Sequence, residues 1–255
     1  MASNDIDPKV LEVVEKETAA LVEAGAEAVY MTGSWARGDA HPESDIDLRV
    51  VGEGDSPHLK RSGSFLISTS WQTEDEQGEG FEDPGEVGSV VPGWRSAVIL
   101  HDPEGTAARL KKRAEEWHWG LIEDECNRWV AAQVTDYAEE IHTLVKGLDE
   151  KNDFAAAAER SQIAMNLVQF LSVHRRLLYE SENDLWDDVA DEMGEHWADL
   201  QRTALVADSD LRTSSRAAMD MFLLAAHDVR DLLDDTQREV VAHACELAGG
   251  SLGES

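Results

Sequence analysis

The stretch Met31–Leu48 constrains the fold of this chain more than any other part of its sequence. An apolar segment ends at a Gly33-Ser34 turn, and after a short helical segment and a polar loop a second apolar segment opens with Asp-Ile-Asp-Leu. Because successive side chains of a strand point to opposite faces, we expect Asp45 and Asp47 to stand side by side, with the residues between and after them directed into a core. The pattern predicts two carboxylates on one face of a sheet.

This spacing indicates a site for a phosphorylated ligand and a divalent metal ion. Mg²⁺ in proteins is typically held by one or two carboxylates together with substrate phosphates and water, which suits Asp45 and Asp47. A glycine lets the backbone approach a phosphate closely, and a helix N-terminus favours negative charge, which suits Gly33 and Ser34. The metal ion would neutralise phosphate oxygens that the turn positions.

Two further residues of the stretch are candidates for the same site. Arg37 falls in the short helix after the turn, where it could face a triphosphate or pair with one of the many surface acids. Ser44 directly precedes the carboxylate pair and could cap or orient it.

The Gly33-Ser34 turn, Gly38 and the Ser44–Leu48 segment resemble the nucleotidyltransferase superfamily with the DNA polymerase β-like palm. The resemblance is nearest to the aminoglycoside and lincosamide nucleotidyltransferases and to the minimal nucleotidyltransferases. It implies an α+β fold, with a mixed β-sheet and flanking helices in a catalytic domain at 1–105. A C-terminal helical bundle at 106–255 would then bind the acceptor.

The resemblance also implies an activity and a set of roles. The expected reaction is Mg²⁺-dependent transfer of a nucleoside monophosphate, AMP from ATP, to a hydroxyl of a small acceptor, with release of pyrophosphate. Asp45 and Asp47 would be the catalytic, metal-binding residues. The nucleotide would be bound by Gly33, Ser34, Arg37 and Ser44.

Related enzymes often carry a third carboxylate on the neighbouring strand, but this sequence has no acidic residue there. That strand is predicted at 64–71, and its candidate positions are Ser68 and Ser70. Glu74 and Glu76 follow it and could reach the site from the strand end. Two alternatives therefore stay open: a degenerate member that binds nucleotide without turnover, and an antitoxin-like module that modifies or binds a protein partner.

The charge of the chain narrows its partners and its setting. Its 255 residues contain 22 Lys and Arg against 53 Asp and Glu, a formal charge of −31, so binding to nucleic acid is not expected. Such a charge opposes compaction unless salt screens it, while 42% hydrophobic residues indicate a folded chain, so we expect the cytosol of a salt-accumulating halophile. Met1–Asp7 is polar and acidic and no apolar run could span a membrane, which favours a cytoplasmic protein with no membrane partner. A homodimer is left open.

Hydrophobic periodicity supplies the remaining elements. An N-terminal helix should pack on the sheet, residues 73–86 read as a mobile acidic loop, and residues 87–95 read as irregular. Asp102 is expected to cap the helix that follows it. Strands are predicted at 26–32, 45–51, 64–71 and 96–101, and helices at 107–117, 121–147, 154–179, 185–206 and 211–247.

Overall fold

The structure, a computed structural model, describes residues 8–55 and 58–253, so the polar segment Met1–Asp7 lies outside the described residues. The chain divides into two compact units between Leu121 and Ile122. This boundary lies later in the chain than the predicted one at residue 105. The helix Thr106–Glu116 instead belongs to the first unit, because its buried face packs there against the first strand and a neighbouring helix.

The first unit is built on a five-stranded mixed sheet, as the predicted α+β class requires. The strand order is β3-β4-β2-β1-β5, with β2 and β4 parallel and the other neighbouring pairs antiparallel. β3 forms a hairpin with β4 that the sequence analysis did not predict. The elements of this unit are α1 (Pro8–Glu23), β1 (Ala28–Thr32), α2 (Gly33–Arg37), β2 (Ile46–Val51), β3 (Leu59–Ser62), β4 (Phe65–Gln72), α3 (Glu74–Glu79), α4 (Val87–Ser96), β5 (Val98–His101) and α5 (Thr106–Glu116).

The sheet has one apolar face and one face that carries polar side chains. Apolar residues of β1, β2 and β4 alternate into a core with α1, whose members include Val10, Val14, Met31, Leu48 and Ile67. Burying this face stabilises the unit by about 25 cal/mol for each Å² of apolar surface removed from water. The alternation leaves the other side chains of β2 on the opposite face, where the candidate site lies.

Two segments expected to be irregular are helical, which corrects the sequence analysis. Thr73 caps α3 through a reciprocal capping box with Glu76, and this local hydrogen bonding orders a segment predicted as a mobile loop. α4 forms although Pro92 lies inside it, because its buried face packs on the sheet, where Trp94 stacks on Tyr30 with ring centroids 4.1 Å apart. Tertiary packing here outweighs the cost of proline.

The capping role predicted for Asp102 is confirmed. Its Oδ1 accepts a hydrogen bond from the backbone N–H of Ala107, and its Oδ2 accepts one from Ala108. These bonds satisfy N–H groups in the first turn of α5 that have no partner within the helix.

The second unit is helical, as predicted, and its core is apolar. Its largest fully buried side chains include Trp197, Phe170 and Phe222. α6 and α7 pack together closely, and α10 packs on α7 and α9. The helices are α6 (Glu123–Asp149), α7 (Asp153–His174), α8 (Leu185–Met193), α9 (Glu195–Leu205), α10 (Leu211–Val229) and α11 (Asp235–Leu247).

Two long helices of the sequence analysis are each divided in the structure. Gly194, with φ of +89°, ends α8 and separates it from α9. Asp234 starts α11 with a capping box to Gln237, which separates it from α10. Among the described residues, no helix combines the length and the apolar character needed to cross a bilayer.

Candidate active site

The two predicted carboxylates lie at the start of β2. The strand begins at Ile46, one residue later than predicted, so Asp45 directly precedes it and Asp47 lies within it. Asp45 and Asp47 are both half-buried, whereas Ile46 and Leu48 are fully buried. This alternation of exposure agrees with the expected arrangement, in which the carboxylates share the face of the sheet that is turned away from the apolar core.

The Gly33-Ser34 turn is pressed against the second of these carboxylates. Thr32, the last residue of β1, pairs with Asp47 in the antiparallel ladder, and Gly33 follows it with φ of +71°. A Cβ atom placed on Gly33 would collide with Oδ2 of Asp47. Both the left-handed backbone and the close approach therefore require glycine at this position.

The turn continues into α2, a helix of five residues. The carbonyl of Ser34 accepts hydrogen bonds from the backbone N–H of Gly38, at 2.8 Å, and of Asp39, at 3.1 Å. Gly38 closes the helix in the left-handed conformation, with φ of +88°. The glycines at 33 and 38 thus bracket the tight segment that contains Ser34.

The loop before β2 is closed by Ser44. Its Oγ accepts a hydrogen bond from the backbone N–H of His41, at 3.1 Å, and its carbonyl accepts one from Nε1 of Trp35, at 3.3 Å. Ser44 therefore holds the loop that leads into Asp45. The nucleotide contact assigned to it stays a prediction.

Arg37 pairs with a surface acid, which is one of its two expected alternatives. Its Nε donates a hydrogen bond to Oδ2 of Asp39, at 3.1 Å, and its side chain is largely buried. Its charge also lowers the pKa of the Asp47 carboxyl, among several influences on that group. The alternative of a triphosphate contact stays a prediction.

The positions expected for a third carboxylate are occupied by a hydrogen-bonded cluster around Arg49. Ser68 and Ser70 pair in register with Asp47 and Arg49 across the parallel β2–β4 ladder. Nη1 of Arg49 donates to Oγ of Ser70, at 3.3 Å, and lies 3.5 Å from Oγ of Ser68. Nη2 of Arg49 donates to Oδ1 of Asp47, at 3.2 Å.

Arg49 is not among the site residues predicted from the sequence, although a signal for it is present. Arg49 follows Asp47 by two residues in a strand, so the period of two places both on one face. In a chain with so many acidic residues, a single arginine such as Arg49 is most simply interpreted as a partner for surface acids. Only the register of β2 against β4 shows which serines it meets.

Glu74 and Glu76, the other candidates for the third carboxylate, have structural partners. Both carboxylate oxygens of Glu74 accept hydrogen bonds from Nη2 of Arg109, at 3.1 and 3.0 Å. Oε2 of Glu76 accepts from the backbone N–H of Thr73, at 2.8 Å, within the capping box of α3. The structure gives neither residue a contact with the carboxylate pair.

The surroundings of Asp47 raise the pKa of its carboxyl group. Burial raises the pKa of the Asp47 carboxyl above its usual range, the charge of Arg49 lowers it, and the charge of Asp45 raises it again. A carboxylate held next to a second carboxylate in a partly desolvated site is stabilised by a nearby cation.

The residues present fit a magnesium ion. Among the described residues, no three His, Cys, Asp or Glu side chains converge to hold a metal ion. Mg²⁺ does not require such a cluster, because one or two carboxylates, phosphate oxygens and water complete its octahedral shell. Asp45 and Asp47 supply that minimal donor set, and Asp47 lies beside the Gly33 turn.

Comparison with a family model decides the class of the first unit. Residues 11–116 match the model of the nucleotidyltransferase domain, a range that holds the whole sheet and the site just described. This part of the chain is a nucleotidyltransferase domain. The resemblance to the nucleotidyltransferase superfamily, drawn from Gly33-Ser34 and Asp45-x-Asp47, is thereby confirmed, and the nearer resemblance to particular branches stays a prediction.

A solved structure and the curated proteins complete the comparison. The crystal structure of a nucleotidyltransferase-like protein from Exiguobacterium sibiricum 255-15 aligns with a TM-score of 0.52 and 11% sequence identity, over 91% of this chain and 77% of that chain. At this identity the likeness shows a shared fold. The search of curated proteins found no match.

Proposed function

We propose that this chain transfers a nucleoside monophosphate, AMP from ATP, to a hydroxyl group of a small acceptor and releases pyrophosphate. The observation that carries the proposal is the close approach of Gly33 to Asp47, where a Cβ on the glycine would collide with Oδ2 of the carboxylate. It brings together the turn proposed to seat phosphates and the carboxylates proposed to hold a metal ion. The nucleotidyltransferase domain assignment of residues 11–116 supports the same reaction class.

In this proposal, the residues of the turn and the strand have distinct tasks. Gly33 and Ser34 seat the β- and γ-phosphates, and Arg37 and Ser44 support the nucleotide side of the site. Asp45 and Asp47 would hold Mg²⁺ through their carboxylate oxygens. The bound ion would supply charge stabilisation to the phosphoryl group and to the leaving pyrophosphate.

The bond changes of the proposed reaction balance without a further reactant. The acceptor oxygen forms a bond to the α-phosphorus, and the bond from that phosphorus to the oxygen bridging to the β-phosphate breaks. Pyrophosphate leaves with that bonding pair, and the hydroxyl proton passes to water. No general base is assigned.

Acceptor recognition is assigned to the helical unit, and the cytoplasm of a salt-accumulating cell is the proposed setting.

A pyrophosphate-release assay tests this function. The full chain in molar KCl is mixed with ATP, Mg²⁺ and a panel of hydroxyl acceptors that includes aminoglycosides and lincosamides. We expect release that depends on Mg²⁺ and on one class of acceptor, and that is abolished in Asp47→Asn. Release that continues unchanged in Asp47→Asn would contradict the metal role of this residue.

A second candidate function is nucleotide binding without turnover. The observation that favours it is the pairing of Ser68 and Ser70 with Arg49 where a third carboxylate is expected. This candidate predicts that Mg²⁺ and ATP bind while no acceptor yields pyrophosphate. Transfer to any acceptor would exclude it.

A further inference from the structure

Arg49 brings a positive charge directly against the carboxylate pair of the candidate site. Arg37, whose charge also acts on Asp47, is hydrogen-bonded to Asp39. The neighbours of Arg49 are the acidic Asp45 and Asp47 and the neutral Ser68 and Ser70, and its guanidinium contacts three of these four: Asp47 by Nη2, and the two serines by Nη1. Its side chain is 30% exposed, and that of Asp47 is 22% exposed. The guanidinium is therefore held inside the site by fixed partners on two strands.

The two oxygens of Asp47 face different groups. Oδ1 accepts the hydrogen bond from Arg49, whereas Oδ2 lies against the backbone of Gly33. The cation is thus on the β4 side of the carboxylate, and the glycine turn is on its other side. Asp45 and Asp47 would hold a metal ion, and the hydrogen bond from Arg49 engages Oδ1 of Asp47.

From this arrangement we infer that the guanidinium of Arg49 occupies one cation position of the site, so that Asp45 and Asp47 take a single divalent metal ion. The inference deepens the proposed function and rests on it. Two serine hydroxyls on β4 offer a second metal ion no anionic ligand, and a guanidinium beside Asp47 repels one. Arginine suits the place because its planar fork donates to several acceptors at once and keeps its charge at every working pH.

Mn²⁺ binding to the full chain, counted by electron paramagnetic resonance of the free ion, tests the inference. The titration is run at the lowest KCl concentration at which circular dichroism shows the chain folded, because salt screens the effect sought. The many surface acids also bind Mn²⁺ weakly, so the relevant sites are those lost in the Asp45→Asn/Asp47→Asn variant. The compared proteins are wild type, Arg49→Gln and Arg49→Lys.

Arg61→Gln is the matched control. It removes the same charge from an exposed position on β3, where Arg61 donates to the carbonyl of Gly63. Any change it shares with Arg49→Gln reflects net charge alone. Thermal unfolding of each variant shows that the chain still folds.

We expect one specific Mn²⁺ per wild-type chain and an affinity on the order of tenfold higher in Arg49→Gln. Arg49→Lys should stay close to wild type because it keeps the charge, and Arg61→Gln should match wild type. Two specific ions in wild type, or equal affinities in Arg49→Gln and Arg61→Gln, would overturn the inference and leave the proposed function standing. No specific Mn²⁺ in either wild type or Arg49→Gln would overturn the proposed metal site itself. If Arg49→Gln bound specific Mn²⁺ and wild type bound none, the metal-dependent function would be overturned. The inference that Arg49 occupies a cation position would stand.

Discussion

Arg49 lies two residues after Asp47 on the same strand, and its Nη2 donates a hydrogen bond to Oδ1 of that carboxylate at 3.2 Å. The same guanidinium reaches Ser70 on the neighbouring strand. A basic side chain therefore stands beside the carboxylate pair, at the place where related enzymes are expected to add an acid. A site with two carboxylates and an arginine carries less negative charge than a site with three carboxylates, so we expect its metal binding to differ.

Substitution of Gly33 should damage the turn and the site together. Gly33→Ala introduces a side chain at positive φ and forces it against Oδ2 of Asp47, so we expect a loss of about 2 kcal/mol or more in the free energy of unfolding. Mg²⁺-dependent ATP binding should fall with it. Chemical denaturation in KCl and calorimetry measure the two effects.

The control for this prediction is Gly63→Ala in the β3–β4 hairpin. Gly63 has φ of +61°, and no atom lies within 4 Å of a Cβ added there. We expect a backbone cost of about 1 kcal/mol and unchanged ATP binding. Equal effects of the two substitutions on ATP binding would show that the contact with Asp47 is unimportant.

Much of this arrangement could be predicted from the sequence. The spacing from Gly33 to Asp47 and the alternation through β2 identify the sheet, the turn and the carboxylate pair, because each depends on local backbone chemistry. The role of Arg49 depends on the register of β2 against β4, which pairs residues far apart in sequence. No local pattern reports that register.

The helix boundaries show the same limit on prediction from the sequence. Gly194 and Asp234 end or begin helices inside long apolar periodicities, and periodicity alone does not reveal such breaks when both flanking segments are buried. α4 shows the reverse, because Pro92 and Gly93 indicate a turn locally while packing of Trp94 on Tyr30 favours a helix. Tertiary contacts decide these segments.

The carboxyl pair formed by Glu140 of α6 and Glu159 of α7 should make stability depend on pH. Burial, followed by the hydrogen bond to Glu159 and its charge, raises the pKa of Glu140 to about 7 from its ordinary value of 4.5. The folded chain thus keeps a proton that the unfolded chain releases, so this contribution is complete below pH 4.5 and is lost as pH rises through about 7.

Glu140→Gln should remove that dependence. We expect the variant to match wild type near pH 4 and to exceed its free energy of unfolding at pH 8 by on the order of 1 kcal/mol, since solvent screens a partly exposed pair. Glu150→Gln, at an exposed position after α6, should show no such gain. Denaturation curves at both pH values decide this, and a parallel response of the two variants would refute the assignment.

Gly147 marks a close contact between α6 and α7. A Cβ atom there would lie 3.0 Å from the backbone nitrogen of Ala156 and 3.3 Å from its Cα. Alanine favours a helix over glycine by about 1 kcal/mol, but overpacking against backbone typically costs 1–3 kcal/mol, so we expect Gly147→Ala to destabilise the chain by about 1 kcal/mol.

Gly93→Ala in α4 is the comparison for that prediction. Gly93 is also helical, and nothing lies within 4 Å of a Cβ added to it. It should gain up to about 1 kcal/mol from helix propensity alone. Thermal unfolding of both variants measures the difference, and a stabilised Gly147→Ala would mean that α7 moves away freely.

The central claim, that Asp45 and Asp47 beside the Gly33 turn form a metal-dependent nucleotide site, is tested most directly by calorimetry of ATP binding in molar KCl. Wild type and the Asp45→Asn/Asp47→Asn variant are titrated with ATP, each with Mg²⁺ and with EDTA. We predict that wild type binds ATP only with Mg²⁺ and that the variant does not bind it in either condition. Absence of binding by folded wild type, or equal binding by the variant, would contradict the claim.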